Sequence, residues 1–166
     1  MDVSTKSMIL IAAVIFTGLS AGLFYAWSVS VIPGTQKVTD ASYLETMQSI
    51  NRAILNPVFF LVFFGSMVLL GTSTFFAFPI DKTAFWFLLT ASVFYTLGTV
   101  GVTALGNVPL NNQLEALNLN VLSAEEQQTF RQFYEMKWNR LHLARTLFAI
   151  AAFILATIGL FIQTKH

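Results

Sequence analysis

The chain has 166 residues, about the length of one domain, and is 55% hydrophobic but only 10% charged. A soluble domain carries roughly 25% charged residues, so this composition predicts an integral membrane protein. The formal net charge of +1 gives no electrostatic basis for binding nucleic acid. The sequence has no cysteine, which excludes disulfides, thiolate metal sites, iron–sulfur clusters and a cysteine nucleophile.

The first uncharged run covers residues 8–32 and is long enough to cross about 30 Å of hydrocarbon. Tyr25 and Trp27 lie towards its far end, where aromatic side chains often mark the membrane interface. Pro33 and Gly34 follow. This pair predicts the end of the first helix, because proline removes a backbone donor and collides with the preceding turn.

A shorter amphipathic helix is predicted next, with Asp40 as its N-cap and apolar residues at three- and four-residue spacing. It is too polar to span, so we expect it to lie on the membrane surface or fold back over the bundle. It brings Asn51 towards Asn56-Pro57, which favours a helix start because proline suits the first helical position. The second uncharged span is predicted over residues 57–78.

The second and third spans form a predicted antiparallel hairpin, because only the short turn 79–82 separates them. The third span covers residues 83–106. Its polar residues advance by three, four and four positions, so on an α-helix they form one stripe: Thr96, Thr99, Thr103 and Asn107. Interhelical hydrogen bonding, worth about 0.6 kcal/mol per contact in membranes, is enough to explain such a stripe.

The segment Asn107-Val-Pro-Leu-Asn-Asn112 ends the third span with three amides and a proline. Proline disfavours helix at the preceding residue, so we expect the helix to loosen near Val108. Irregular backbone at membrane depth is tolerated only when it is buried in protein or lines a wet cavity. The segment therefore indicates either a polar cavity that includes Asn107 and Asn111, or a helix end with its amides among lipid headgroups.

The last helix is predicted to begin at the capping box Ser123-Ala-Glu-Glu126 and to contain the fourth span, residues 145–162. If it is continuous, it is nearly twice as long as the hydrocarbon is thick. One face collects an aromatic ring and several polar side chains: Trp138, Asn139, His142, Arg145 and Thr146. Ionisable residues within a membrane are costly and usually functional, so this face predicts a site.

Four spans place both termini on one side and the long connectors, residues 33–56 and 107–144, on the other. We therefore predict an all-α membrane protein: a four-transmembrane-helix bundle of one domain, residues 1–166, with a short amphipathic helix between spans 1 and 2 and an extended last helix. Lysines and arginines number six on the connector side and three on the terminal side, which favours cytoplasmic connectors. If Arg52, Arg140 and Arg145 belong to a site instead, each side has three lysines and arginines, and the orientation stays open.

Three segments resemble the anthrone-oxygenase-like membrane family: Ser20-Ala-Gly-Leu-Phe-Tyr-Ala-Trp27, Asn107-Val-Pro-Leu-Asn111 and Trp138-Asn…His142…Arg145-Thr146. The resemblance covers nearly the whole chain. Named members of that family oxygenate anthrones to anthraquinones, and its bacterial members are largely uncharacterised. The resemblance implies a monooxygenase-like protein of the bacterial inner membrane, without implying an anthrone substrate for this chain.

The polar residues suit cofactor-independent oxygenation of an acidic aromatic ketone. Removing the acidic proton of an anthrone gives an anion that can transfer an electron to O₂ without a metal. Such a site needs a base, donors for the oxyanion and an apolar pocket. We predict His142 as the base and Arg145, Asn107 and Asn111 as the donors. The predicted substrate-binding residues are Asn51, Asn56, Asn139, Trp138, Tyr25 and Trp27.

Other interpretations stay open. His142 is also explained as a hydrogen-bonded helix residue, and the aromatic residues as an interface belt. A two-histidine metal or haem site is disfavoured because His166 lies across the predicted membrane, so we predict no metal, with haem held by His142 alone as an alternative. The expected partners are the lipid bilayer and a small aromatic or apolar ligand. A homo-oligomer, and a non-enzymatic binding or assembly protein, are the remaining alternatives.

Overall fold

The computed structural model describes residues 5–163, and within that range the chain is helical, with no strand. Five helices follow one another: α1 Thr5–Thr35, α2 Asp40–Ala53, α3 Pro57–Ala77, α4 Lys82–Glu115 and α5 Ala124–Gln163. All except α2 are long and apolar enough to cross a membrane. The predicted all-α fold with four spans is confirmed, and the chain is an integral membrane protein. His166 lies outside the described residues.

The first helix, α1, continues past the point where the sequence predicts its end. A widened, π-helical stretch at Trp27–Val31 precedes Pro33, and the helix then runs on to Thr35. In an ordinary α-helix the proline ring collides with the carbonyl four residues before it. The widened turn changes which carbonyls face the ring, and proline is then tolerated. The helix therefore passes through Pro33 without a break and ends at Thr35, one residue after the predicted stop at Pro33-Gly34.

The amphipathic helix α2 is held against α5 by the guanidinium group of Arg131. This group donates to the Asp40 and Glu135 carboxylates at 3.0 and 2.9 Å, and to three backbone carbonyls of the α1–α2 connection: Thr35, Gln36 and Val38. The cap of α2 is Thr39, whose Oγ1 accepts a hydrogen bond from the Ser42 N–H. The prediction of Asp40 as N-cap is therefore wrong, because its carboxylate pairs with Arg131 instead.

Polar caps also begin α3 and α5. Asn56 Oδ1 accepts a hydrogen bond from the Phe59 N–H at 3.0 Å, with Pro57 in the first helical position, as the sequence predicts. Ser123 and Glu126 form the predicted capping box. The Ser123 N–H donates to the Glu126 carboxylate at 2.8 Å, and the Glu126 N–H donates to Ser123 Oγ at 3.3 Å. These starts are therefore encoded locally.

The third span belongs to α4, a continuous helix of 34 residues and about 51 Å. It contains two more π-helical stretches, Phe94–Gly101 and Thr103–Asn107, then passes Pro109 and ends at Glu115. The predicted loosening near Val108 is therefore wrong. Proline again follows a widened turn and lies in the first turn of the α-helical segment beyond it.

The four spans form a closed ring in the order α1, α3, α4, α5, in which α5 also contacts α1. The contact between α3 and α4 is concentrated in Lys82–Val93, so these helices separate towards the connector end. Gly98 allows α4 to approach α5, since a side chain there would collide with the Phe148 ring. The apolar core fills the ring: Leu10, Ala13, Leu70, Ala77, Leu88, Ala91, Tyr95, Ala152 and Ala156.

Both described ends of the chain lie beside the turn between α3 and α4. The Lys6 ammonium, in α1, lies 5.6 Å from the Phe76 ring centre in α3. Gly159, near the end of α5, packs against Leu88 in α4. The long connectors therefore meet at the opposite end. There α1, α4 and α5, with 31, 34 and 40 residues, extend past the shorter α3, with 21 residues, and α2 packs against them.

Candidate functional site

A cavity of about 310 Å³ lies at the connector end, where α3 and α4 separate. All five helices contribute to its mainly apolar wall: Leu23, Phe24, Trp27, Ile50, Ile54, Leu55, Phe59, Phe60, Phe63, Phe64, Val100, Ala104, Val108 and Trp138. The polar residues of the wall are fewer: Asn51, Arg52, Thr103, Asn111, Asn112, Glu115 and Arg145. The deepest α3 residue, Phe64, is only about 10 Å along the helix from Pro57. The cavity therefore lies near the connector end of the α3 span.

Arg145 is a buried cation in the cavity wall, with 8% of its surface exposed. Its guanidinium carbon lies 4.6 Å from the Phe24 ring centre and 5.1 Å from that of Trp138, so two aromatic rings contact the group. Nη1 donates to Thr103 Oγ1 at 3.3 Å. Among residues 5–163 no carboxylate forms an ion pair with Arg145. Its charge thus has no counterion from this part of the protein.

His142 fixes the orientation of Arg145. Its Nδ1 accepts hydrogen bonds from Arg145 Nε at 3.2 Å and Nη2 at 3.0 Å. Because a guanidinium group only donates, Nδ1 carries no proton, and Nε2–H donates to the Phe24 carbonyl at 3.1 Å. The imidazole stacks on the Trp138 ring, with centres 4.9 Å apart and 8° between the planes. Ser28 Oγ lies 3.0 Å from Nε2. Both nitrogens are engaged, and His142 does not line the cavity.

Two amides of the cavity wall are joined by one tyrosine hydroxyl. Trp138 Nε1–H donates to Asn111 Oδ1 at 2.9 Å, and the Tyr134 hydroxyl donates to the same oxygen at 3.0 Å. The Tyr134 oxygen in turn accepts from Asn51 Nδ2 at 3.3 Å. The structure thus brings together five of the predicted site residues around one cavity: Trp27, Asn51, Asn111, Trp138 and Arg145.

A second aromatic layer supports this network from α2. The Tyr43 ring packs edge-on against Tyr134, with centres 6.3 Å apart, and lies 4.5 Å below the Arg131 guanidinium carbon. Burial is the main cause that raises the pKa of Tyr43 far above its ordinary value. Tyr43 therefore stays neutral and serves as packing beneath the network.

The other predicted site residues lie off the cavity wall. Tyr25 is 56% exposed on the outer surface of α1, Asn56 is the cap of α3, and Asn139 is half-buried on α5. Asn107 is only 1% exposed and donates to the Trp138 carbonyl at 3.3 Å, while its Oδ1 has no hydrogen-bond partner in the described residues. These positions correct the predicted grouping. The π-helical stretches turn Asn107 towards α5 and leave Asn111 on the wall.

Two further ionisable residues line the wall: Glu115, which the sequence analysis did not single out, and Arg52, which it raised as a site residue only when weighing the orientation. Arg52 Nη1 and Glu115 Oε1 form an ion pair at 2.8 Å between α2 and the end of α4, and both side chains are exposed. Glu115 lies four residues after Asn111, so the two share a helical face. That spacing was the signal in the sequence for Glu115, whereas the position of Arg52 depends on how α2 packs.

His142 does not fit the role of a haem ligand in this arrangement, because Nδ1 accepts from Arg145 and Nε2–H donates to the Phe24 carbonyl. Within the part of the chain that the structure describes, no group of three or more His, Cys, Asp or Glu side chains is placed to hold a metal ion. The polar chemistry that the cavity offers is therefore that of amides, a hydroxyl, one carboxylate and two guanidinium groups.

A family model described as anthrone oxygenase matches residues 59–155, more than half of the chain. The match covers most of α3, all of α4 and most of α5, and so includes Asn111, His142 and Arg145. The helices α1 and α2, which carry Trp27 and Asn51, lie outside it. No curated protein and no solved structure matches the chain.

Proposed function

Because the chain belongs to the anthrone oxygenase family, we propose that it is a membrane-embedded oxygenase that converts an anthrone-like aromatic ketone into the quinone. The observation that carries this proposal is Arg145, a buried guanidinium group in an aromatic cavity, without a carboxylate partner in the described chain. An unpaired buried charge is costly in a membrane protein. A ligand that becomes an anion inside the cavity offsets this cost.

The first step is removal of a proton from the substrate. An anthrone has a CH₂ group between two aromatic rings, conjugated through them with the ketone. When one proton leaves, the negative charge spreads onto the ketone oxygen, where the Arg145 donors stabilise it. One donor to such an oxyanion is typically worth 10²–10³-fold in turnover. The apolar wall keeps water away from the anion and strengthens this electrostatic interaction.

Molecular oxygen then completes the oxidation. The anion transfers one electron to O₂, and the resulting carbon radical and superoxide combine to form a C–O bond. Protonation gives a hydroperoxide. Loss of the second C–H proton breaks the O–O bond, which leaves a C=O group on the ring and releases water. The substrate loses two hydrogens and gains one oxygen atom, and the other atom of O₂ leaves as water.

Two residues compete for the role of base. His142, which the sequence predicts, would have to release Arg145 from Nδ1 before it could accept a proton. Glu115 lines the cavity, and its carboxylate can accept a proton once it separates from Arg52. We therefore assign proton removal to Glu115 and the positioning of Arg145 to His142. This assignment revises the role that the sequence predicts for His142.

The test is oxygen consumption by the purified full-length protein in detergent, with anthrone as substrate and the rate without protein subtracted. We expect one O₂ per quinone formed and, with ¹⁸O₂, one labelled atom in the new carbonyl group. Arg145→Gln should lower turnover by about 10²–10³-fold. The matched control is Arg140→Gln, on the same helix but exposed and outside this cavity, and it should retain turnover.

Equal turnover in the two variants would contradict the role of Arg145. A wild-type protein that binds aromatic ketones without consuming O₂ would contradict the oxygenase proposal itself. The non-enzymatic alternative, a membrane protein that binds small aromatic molecules in the same cavity, would then take its place.

A further inference from the structure

A neutral hydrogen-bonding subsite lies in the cavity besides Arg145, and we infer that Asn51 and Asn111 bind a hydroxyl group of the ligand there. The inference rests on the proposed function for the kind of ring system that carries the hydroxyl. It concerns a contact that neither generates nor stabilises the anion. The subsite therefore determines which substituted rings the cavity selects.

The orientation of the Asn111 amide follows from its partners. The indole Nε1 of Trp138 can only donate, so the Asn111 atom 2.9 Å from it must be the oxygen. The Tyr134 hydroxyl lies 3.0 Å from the same oxygen, and Oδ1 thus accepts two hydrogen bonds. The Nδ2 group of Asn111 has no partner among residues 5–163. Because Asn111 lines the cavity, this NH₂ group is a donor available to a ligand.

The orientation of Asn51 follows in turn from Tyr134. The single hydroxyl hydrogen of Tyr134 is used towards Asn111, so its oxygen accepts from Asn51. Asn51 must therefore present Nδ2 to the hydroxyl, at 3.3 Å. Its Oδ1 is left without a partner in the described part of the chain, and Asn51 also lines the cavity. This oxygen is an acceptor available to a ligand.

A free donor and a free acceptor therefore lie in neighbouring amides, separated by one hydroxyl oxygen. A hydroxyl group satisfies both at once, because it accepts and donates. An ether or carbonyl oxygen would satisfy only Asn111. The same Trp138 that orients Asn111 also has its ring 5.1 Å from the Arg145 guanidinium carbon. The ligand that fits both is a flat aromatic ketone whose ionising oxygen faces Arg145 and whose ring carries a neutral hydroxyl.

Three quinones that differ in one ring substituent test this inference: anthraquinone, 2-methoxyanthraquinone and 2-hydroxyanthraquinone. Binding to the full chain in detergent is followed by quenching of tryptophan fluorescence, since Trp27 and Trp138 line the cavity. Mildly acidic buffer keeps the phenol neutral. We expect the wild type to bind the methoxy compound about 5-fold and the hydroxyl compound about 30-fold more tightly than anthraquinone, as one and two neutral hydrogen bonds provide.

Two substitutions separate the donor from the acceptor. Asn111→Asp keeps an acceptor for Trp138 and Tyr134 but replaces the NH₂ group by oxygen. The preference for the methoxy compound over anthraquinone should therefore disappear. The hydroxyl compound should keep part of its advantage, because it can still donate to Asn51. Asn51→Ala should abolish the advantage of hydroxyl over methoxy and keep that of methoxy over anthraquinone. Gln113→Glu, which makes the same change from amide to carboxylate at an exposed residue of α4 outside the cavity wall, is the control and should keep all wild-type ratios.

Wild-type ratios in both Asn111→Asp and Asn51→Ala would overturn the inference, as would failure of the wild type to bind any of the three compounds. Thermal melting of each variant identifies any loss of binding that is only unfolding, and the two substitutions provide independent readouts. Oxygen uptake is measured on the same samples. Intact selectivity without uptake would contradict the proposed function alone, whereas uptake without selectivity would contradict only this subsite.

Discussion

The substitution His142→Asn distinguishes a positioning residue from a base. Asparagine Oδ1 is separated from Cβ by the same number of bonds as histidine Nδ1. It can therefore accept the two hydrogen bonds that Arg145 donates at 3.2 and 3.0 Å. Asparagine cannot remove a proton near neutral pH. The substitution thus keeps the support of Arg145 and deletes any acid–base function.

The structure gives the two roles different magnitudes. If His142 positions Arg145, the variant loses the ring stack on Trp138 and the hydrogen bond to the Phe24 carbonyl. Together these are worth about 1–3 kcal/mol of stability. Turnover of the folded protein should then fall by less than about 10-fold, and His142→Ala should be clearly worse because it leaves guanidinium donors unsatisfied. If His142 is the base, both variants should lose about 10²–10⁴-fold.

The assay measures quinone formation per folded protein, with the folded fraction taken from thermal melting of the same preparation. Glu115→Gln is measured beside the two histidine variants, and we expect it to show the larger loss that belongs to the base. An equal loss of about 10²-fold or more in folded His142→Asn and His142→Ala, with Glu115→Gln near wild type, would refute the assignment.

Three further substitutions test the surrounding structure. Arg145→Lys keeps the charge but not the planar guanidinium group, so turnover should fall by about 10–100-fold while Arg140→Lys stays at the wild-type rate. Equal rates would show that the charge alone is enough and would contradict the role of the guanidinium donors. Gly98→Ala should lower the free energy of unfolding by about 1–3 kcal/mol in thermal melts, because a methyl group there would collide with Phe148. Gly22→Ala is the control and should not lower it, because a Cβ at Gly22 meets no neighbouring heavy atom within 4 Å. Arg131→Met should speed amide hydrogen exchange in α2 and lower the free energy of unfolding by about 1.5–3 kcal/mol. Unchanged exchange in α2 would contradict the role of Arg131 in holding α2 against α5.

The spans could be predicted from the sequence because hydropathy and length are properties of single segments. The predicted second span, residues 57–78, differs from α3 at one end only, and the caps at Asn56 and Ser123 depend on neighbours three residues away. Asp40 shows the limit of such local rules. Its carboxylate suits an N-cap, but Arg131 lies 91 residues away in the chain and takes it.

The differences from prediction at Pro33, Pro109 and Asn107 have one origin. A turn with i→i+5 hydrogen bonds holds more residues than an α-helical turn, so the 100° spacing fails where such turns occur. Each proline then follows a widened turn that tolerates it, and Asn107 turns from the cavity towards α5. Neither hydropathy nor residue spacing marks these turns. The pairing of His142 with Arg145 could have been predicted from the sequence, because residues three apart on a helix are neighbours.

Because α3 and α4 separate at the cavity, we expect a ligand to enter between them from the lipid phase. Phe60, Phe64 and Ala104 line the cavity, have exposed side chains and belong to helices that are apolar enough to cross a membrane. A ligand that partitions into the bilayer therefore meets this opening at its concentration in lipid, which for a flat aromatic ketone far exceeds that in water. The rate should follow the mole fraction of substrate in the apolar phase. Adding empty micelles at constant total substrate should slow turnover by surface dilution, so a KM for this protein is defined only together with the amount of lipid or detergent present.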